Sequence, residues 1–150
     1  MRFHLIDRIE SWTPREQITA RKVTSVAEDC WRPTPAGPVL SFGLALEALC
    51  QSATWLMMLS TDYRLRAALL AVDEACAPRD VVPGDVLRTH AVVESMSDEA
   101  AVLAGLVTVG GETVLEASGI LCSLMDAERL DDPADTALMG RQLLGKGAPR

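Results

Sequence analysis

From Val39 to Leu59 the chain is apolar at almost every position for 21 residues, with Glu47 and Gln51 interrupting near the middle. That length suffices to cross a bilayer. A carboxylate at the midpoint costs roughly 2.5–3.5 kcal/mol on insertion scales, so the pattern predicts a helix buried inside a folded domain rather than a membrane span. Such a helix is apolar nearly all round because it is covered on most sides. At about 100° per residue, Glu47, Gln51 and Thr54 fall within an arc of about 60°, with Gly43 beside them. The core helix therefore carries one polar stripe.

The flanking sequence reads as strands. Leu5 to Trp12 and Gln17 to Val26 are β-prone runs around the turn signal Thr13-Pro14-Arg15, which predicts a first hairpin. Ala67 to Val72 is a short continuous apolar run, the pattern of a strand covered on both faces. A loop with a tight Pro83-Gly84 turn follows. Val86 to Ser95 alternates, with Arg88, His90 and Glu94 on one face and Leu87, Ala91 and Val93 on the other. Ala101 to Val109 and Thr113 to Met125 flank Gly110-Gly111, a pair that tolerates φ > 0 and so predicts an antiparallel hairpin. The expected class is α+β, an antiparallel sheet around one long central helix, in a single domain over residues 1–125. Residues 126–150 form a tail, with Asp132-Pro133 as the cap and first turn of a short peripheral helix through Leu144.

Composition narrows the function. The 150 residues are 49% hydrophobic and 23% charged, which suits one soluble core. A formal charge of -7 offers no field for a polyanion, so sequence-independent nucleic-acid binding is not expected. Cys30, Cys50, Cys76 and Cys122 lack the short spacings of a zinc or redox site, which leaves them as reduced core thiols with no metal and no cofactor expected. The opening run Met1 to Arg8 meets charge before any apolar stretch long enough for a signal peptide, so a cytoplasmic location is expected.

Three motifs carry a resemblance. Val72-Asp73-Glu74-Ala75 with Val81-Val82-Pro83-Gly84-Asp85-Val86-Leu87-Arg88, the helix segment Leu46-Glu47-Ala48-Leu49-Cys50-Gln51-Ser52-Ala53 and the opening Phe3-His4-Leu5-Ile6-Asp7-Arg8 are spread over roughly residues 3–125. Together they resemble the bacterial 3-hydroxyacyl-(acyl-carrier-protein) dehydratases of fatty-acid and polyketide synthesis, which have the hot-dog fold. The resemblance implies a dimer with joined sheets and an acyl thioester, on a carrier protein or CoA, entering a tunnel at the interface. It also implies a loop histidine that removes the α-proton and a helix glutamate of the partner protomer that helps water leave. The family's loop reads His-Phe-Pro-Gly-x-Pro-Val-x-Pro-Gly. Here the stretch runs Pro33-Thr34-Pro35-Ala36-Gly37-Pro38-Val39-Leu40-Ser41-Phe42, with Pro33 in the histidine's place and Pro35, Pro38 and Val39 retained.

Glu47 matches the family's glutamate and is the acid/base candidate; its alternative reading is a hydrogen-bonded core carboxylate. His90 is either an ordinary strand histidine or a relocated base. Substrate-lining candidates are Pro33, Pro35, Gly37, Pro38, Val39, Gly43, Gln51 and Thr54. Arg64, Arg66 and Arg79 are either a small carrier-docking patch or scattered surface charge. Three functions fit: an acyl-thioester enzyme of the dehydratase kind, a thioesterase using Glu47, or a non-catalytic subunit partnering a catalytic relative. The assembly expected is a homodimer or a heterodimer with a related hot-dog subunit.

Overall fold

In the computed structural model, which describes residues 3–145, the chain forms two hairpins before its long helix and four long strands after it. The elements are β1 (Arg8–Thr13), β2 (Gln17–Val23), β3 (Trp31–Thr34), β4 (Gly37–Leu40), α1 (Phe42–Ser60), β5 (Leu65–Cys76), β6 (Val86–Met96), β7 (Ala100–Val109) and β8 (Glu112–Asp126). A short 3-10 turn (Ala127–Arg129) and α2 (Pro133–Leu144) complete the order. Six strands make one antiparallel sheet in the order β1-β2-β6-β7-β8-β5, and β3-β4 stands apart as a two-stranded sheet. The large sheet wraps around α1, which is the hot-dog architecture.

The helix is held by burial. Leu49, Leu56 and Met57 of α1 are inaccessible to solvent, as are Ile18, Leu87, Leu103, Val107, Leu115 and Ile120 of the sheet. One polar contact crosses this core: the hydroxyls of Ser52 and Thr89 are 2.6 Å apart, one donating to the other while the other's hydrogen goes to a backbone carbonyl, Ala48 at 3.0 Å from Ser52 or Ala20 at 3.3 Å from Thr89. Both buried hydroxyls have partners, which spares the cost of stripping them of water. Gly105 sets how closely the helix approaches. A Cβ at that position would lie 2.8 Å from Leu49 Cδ1 and 2.5 Å from the His90 carbonyl oxygen.

Local signals explain most boundaries. Gly110 and Gly111 take φ of 58° and 84°, the left-handed pair of a two-residue hairpin turn between β7 and β8. Along β6 the alternation places Leu87, Thr89 and Ala91 inward and Arg88 and His90 outward. Asp132 caps α2, its side chain accepting from the Ala134 amide at 2.9 Å.

Cys76 is exposed rather than a core thiol, and three readings of the elements also need correction. The run Ala67 to Val72 is not covered on both faces: β5 is an edge strand, and Leu69 and Leu70 are 42% and 62% exposed. A continuous apolar run fits either an enclosed strand or an open edge, and periodicity does not separate them. Residues 33–39 are not a loop, because Trp31–Thr34 pairs with Gly37–Leu40 in a hairpin that sets Pro33 opposite Pro38. The helix begins at Phe42, not Val39, since the Leu40 amide is held by the Val81 carbonyl at 2.8 Å.

Gly105→Ala is expected to lower the unfolding free energy in chemical denaturation by about 1–3 kcal/mol, because backbone has to shift around the new methyl. Gly43→Ala in the first turn of α1, where a Cβ meets only Ser41 Oγ at 3.8 Å, is expected to be neutral or mildly stabilising.

Candidate functional site

The polar stripe of α1 is the place to build from. Glu47 is half-buried, and its Oε1 accepts a hydrogen bond from Gln51 Nε2 at 2.9 Å, one helical turn on. Gln51 Nε2 also donates to the Phe3 carbonyl at 3.1 Å, while its Oε1 accepts from the Leu5 amide at 2.8 Å. The Leu5 N–H is a donor only, so it fixes which end of the Gln51 amide is oxygen. One side chain thus straps the N-terminal run to α1 beside Glu47.

Beyond Gln51 the stripe opens into a cavity of about 240 Å³ between α1 and α2. Helix α1 contributes Gln51, Thr54, Trp55 and Met58, and the N-terminal run contributes Phe3 and His4. Arg66, Asp131, Thr136 and Met139 close the other side. Arg66 Nη2 lies 3.2 Å from Asp131, and its Nη1 donates to Thr136 Oγ1 at 3.2 Å. A smaller recess of about 120 Å³ shares His4, Gln51, Trp55 and Met139 and is edged by Ile6, Gln142 and Leu143.

The helix brings Glu47, Gln51 and Thr54 together, and Gln51 and Thr54 share the cavity wall. Pro33, Pro35, Gly37, Pro38 and Val39 lie in the β3-β4 hairpin, and Gly43 is exposed in the first turn of α1. None of these six is among the described residues lining either chamber. His90 is on the far side of the sheet. Its neighbour Thr89 points at the helix, so alternation sends His90 outward, where Nδ1 is 3.2 Å from Thr19 Oγ1. There it borders a separate groove of about 420 Å³ with Glu74, Cys76 and Glu116. Two of the three arginines considered for carrier docking are already paired, Arg66 with Asp131 and Arg79 with Glu112.

Burial dominates the electrostatics behind the stripe. The Cys50 thiol is pushed up to about 12, by desolvation first and then by the neighbouring Glu47 and Cys122 side chains, and burial raises Cys122 as well. Both thiols stay protonated near neutral pH and supply no nucleophile.

The parts of the cavity that sequence reasoning missed come from the ends of the chain. His4, Thr136 and Met139 approach α1 only through tertiary contacts, and the one local hint was the apolar spacing of Met139 and Leu143 on a short helix.

A six-stranded antiparallel sheet wrapped on a single helix defines a hot-dog protein, and solved structures of that shape agree. A putative thioesterase, yhdA from Lactococcus lactis, aligns with a TM-score of 0.67 at 11% identity over 81% of this chain and 93% of its own. The protein smu.793 from Streptococcus mutans UA159, bound to acetyl CoA, aligns with a TM-score of 0.65 at 15% identity over 84% and 94%. At those identities the likeness is one of fold. Sequence is more specific. The 3-hydroxyacyl-(acyl-carrier-protein) dehydratase FabZ of Anaeromyxobacter sp. (strain K) is 33% identical over 132 residues, 85% of this chain and 84% of that protein. Its counterpart from Solibacter usitatus (strain Ellin6076) is 31% identical over 128 residues, 84% and 78%. That from Lactobacillus helveticus (strain DPC 4571) is 32% identical over 95 residues, 62% of this chain and 64% of its own length. The chain belongs to the FabZ dehydratase family. No protein-family model matches it.

Gln51→Leu removes the strap without removing bulk. The Leu5 amide is then expected to exchange with solvent deuterium at least about tenfold faster, as a lost hydrogen bond of about 1.4 kcal/mol implies. Unchanged exchange at Leu5 would show that packing alone holds the N-terminal run.

Proposed function

We propose that this protein binds an acyl chain carried as a thioester on a carrier protein or CoA, in fatty-acid or polyketide synthesis in the cytoplasm, and that it has lost the usual dehydratase base. The observation that carries this reading is Glu47, at the position of the family's helix glutamate, held by Gln51, which lines the neighbouring chamber while Glu47 itself does not, and no histidine stands in the β3-β4 hairpin.

Dehydration of a 3-hydroxyacyl thioester breaks one α-carbon–hydrogen bond and one β-carbon–oxygen bond, giving the enoyl thioester and water. The first step needs a base whose pKa suits the working pH. In this reading Pro33 stands where the base belongs, and its amide nitrogen has neither a proton to give nor a basic lone pair. Glu47 keeps the acid's position. Half of a pair that works as a unit retains little of the pair's effect. His90 faces the opposite side of the sheet, which argues against its taking over. The exposed backbone at the start of α1, around Ser41 to Gly43, supplies N–H groups and a helix dipole suited to a thioester carbonyl.

The assembly in this proposal is a dimer joined along β5. The residues Ala67 to Val72 carry no charge, and Leu69 and Leu70 are exposed on an open edge, the arrangement that a second strand covers. A second copy of this chain or a catalytic relative fits that edge.

Incubating the purified protein with 3-hydroxyacyl, enoyl and saturated acyl thioesters, followed by mass spectrometry, tests the chemistry. The expected result is recovery of all three unchanged by hydration or dehydration. Conversion of the 3-hydroxyacyl substrate to enoyl product would contradict the loss of the base, and release of free acid would favour a thioesterase using Glu47. Light scattering tests the assembly: the expected mass is that of two chains, with Leu70→Lys shifting it toward one, and a monodisperse wild-type monomer at micromolar concentration would refute the joined edge.

A further inference from the structure

We infer that the chamber between α1 and α2 receives the distal part of the acyl chain, and that it selects a chain bearing a neutral oxygen function, a hydroxyl or a ketone, over a plain alkyl chain. This rests on the acyl-thioester reading above and adds to it the class of acyl group.

Position comes first. Gln51 touches Glu47 on one side and lines the chamber on the other, so the stripe leads from the candidate chemistry into this space. Thr54 and Met58 lie 7 and 11 residues beyond Glu47, which at about 1.5 Å per residue is roughly 10–16 Å along the helix. An extended chain advances roughly 1.2 Å per bond, a third of the span of one extended residue, so the chamber floor lies about eight to thirteen bonds from Glu47.

Chemistry of the walls comes second. Trp55, Met58 and Met139 supply apolar surface for methylenes, and the first two are each 5% exposed. Between them stand groups that an alkyl chain leaves unsatisfied. Thr54 donates its hydroxyl hydrogen to the Gln51 carbonyl at 2.9 Å, which leaves its oxygen as an acceptor. Thr136, 4% exposed, accepts from Arg66 at 3.2 Å, which leaves its own O–H as a donor. The guanidinium of Arg66 is balanced by Asp131 at 3.2 Å. A donor and an acceptor beside an Arg66 guanidinium already paired with Asp131 match a hydroxyl or ketone. A plain alkyl end offers neither threonine a hydrogen bond, the situation in which polar sites discriminate most strongly.

Helix α2 therefore shapes the chamber directly, because it carries Thr136 to the wall and, with Met139, ends the space. The test uses the full-length protein and two probes that do not hydrolyse, the pantetheine amides of dodecanoic and 12-hydroxydodecanoic acid, in isothermal titration calorimetry. The hydroxylated probe is expected to bind about tenfold more tightly, the worth of one well-formed hydrogen bond. Thr136→Val is expected to abolish that preference, the two probes then binding within about twofold of each other. Thr54→Val, whose hydroxyl holds only its own helix, is expected to reduce the preference and serves if Thr136→Val loosens α2 on thermal melting. Equal or tighter binding of the plain chain by the wild type, or a preference that survives in both variants, overturns the inference and leaves the acyl-thioester reading standing. Failure of both probes to bind overturns that reading and the inference with it.

Discussion

A helix of nineteen residues that is leucine, alanine and methionine on almost every side has to be covered on almost every side. The rest of the molecule follows from that requirement. A flat sheet covers one stripe of a helix, so the sheet has to curl, and six antiparallel strands wrap far enough to bury Leu49, Leu56 and Met57 completely. Close approach depends on Gly105, where any side chain would collide with Leu49 and the neighbouring strand. What the sheet leaves open is the stripe of Glu47, Gln51 and Thr54, and the two ends of the chain close over its far part. The site is thus the remainder of the packing problem, the sector of α1 left without sheet.

Gln51 joins fold to site. Its amide satisfies Phe3, Leu5 and Glu47 at once, so the strap that covers α1 and the orientation of the carboxylate depend on the same side chain. A partly buried carboxylate with a fixed hydrogen-bond partner is positioned in advance, which a binding site needs and which chemistry builds upon.

The helix, the alternation of β6 and the Gly110-Gly111 hairpin were legible in the sequence because each is a local effect: a hydrophobic period, a face rule, a backbone conformation that glycine tolerates. The stripe was legible for the same reason, since helical spacing alone brings Glu47 to Gln51. The edge position of β5 was not, because Ala67 to Val72 looks the same whether a second layer or a second chain covers it. The β3-β4 hairpin was hidden behind three prolines that read as loop, although Pro33 and Pro38 face each other in a pair that needs neither amide hydrogen. The chamber was illegible too, since it joins residues at positions 4, 51 and 136 that only the folded chain brings together.

Membership of the FabZ family and the residues before the helix point in different directions for chemistry: the relatives are dehydratases, while the hairpin that leads into this helix carries Pro33. The most direct measurement is proton exchange at the acyl α-carbon, because removing that proton is the step that the proposed loss of the base would abolish. With a 3-hydroxyacyl pantetheine thioester bound to the protein in D2O and followed by NMR, the account predicts that the α-protons are retained at the rate seen without protein. Wash-in of deuterium at the α-carbon, faster with protein than without it, would show a working base in this site and contradict the account.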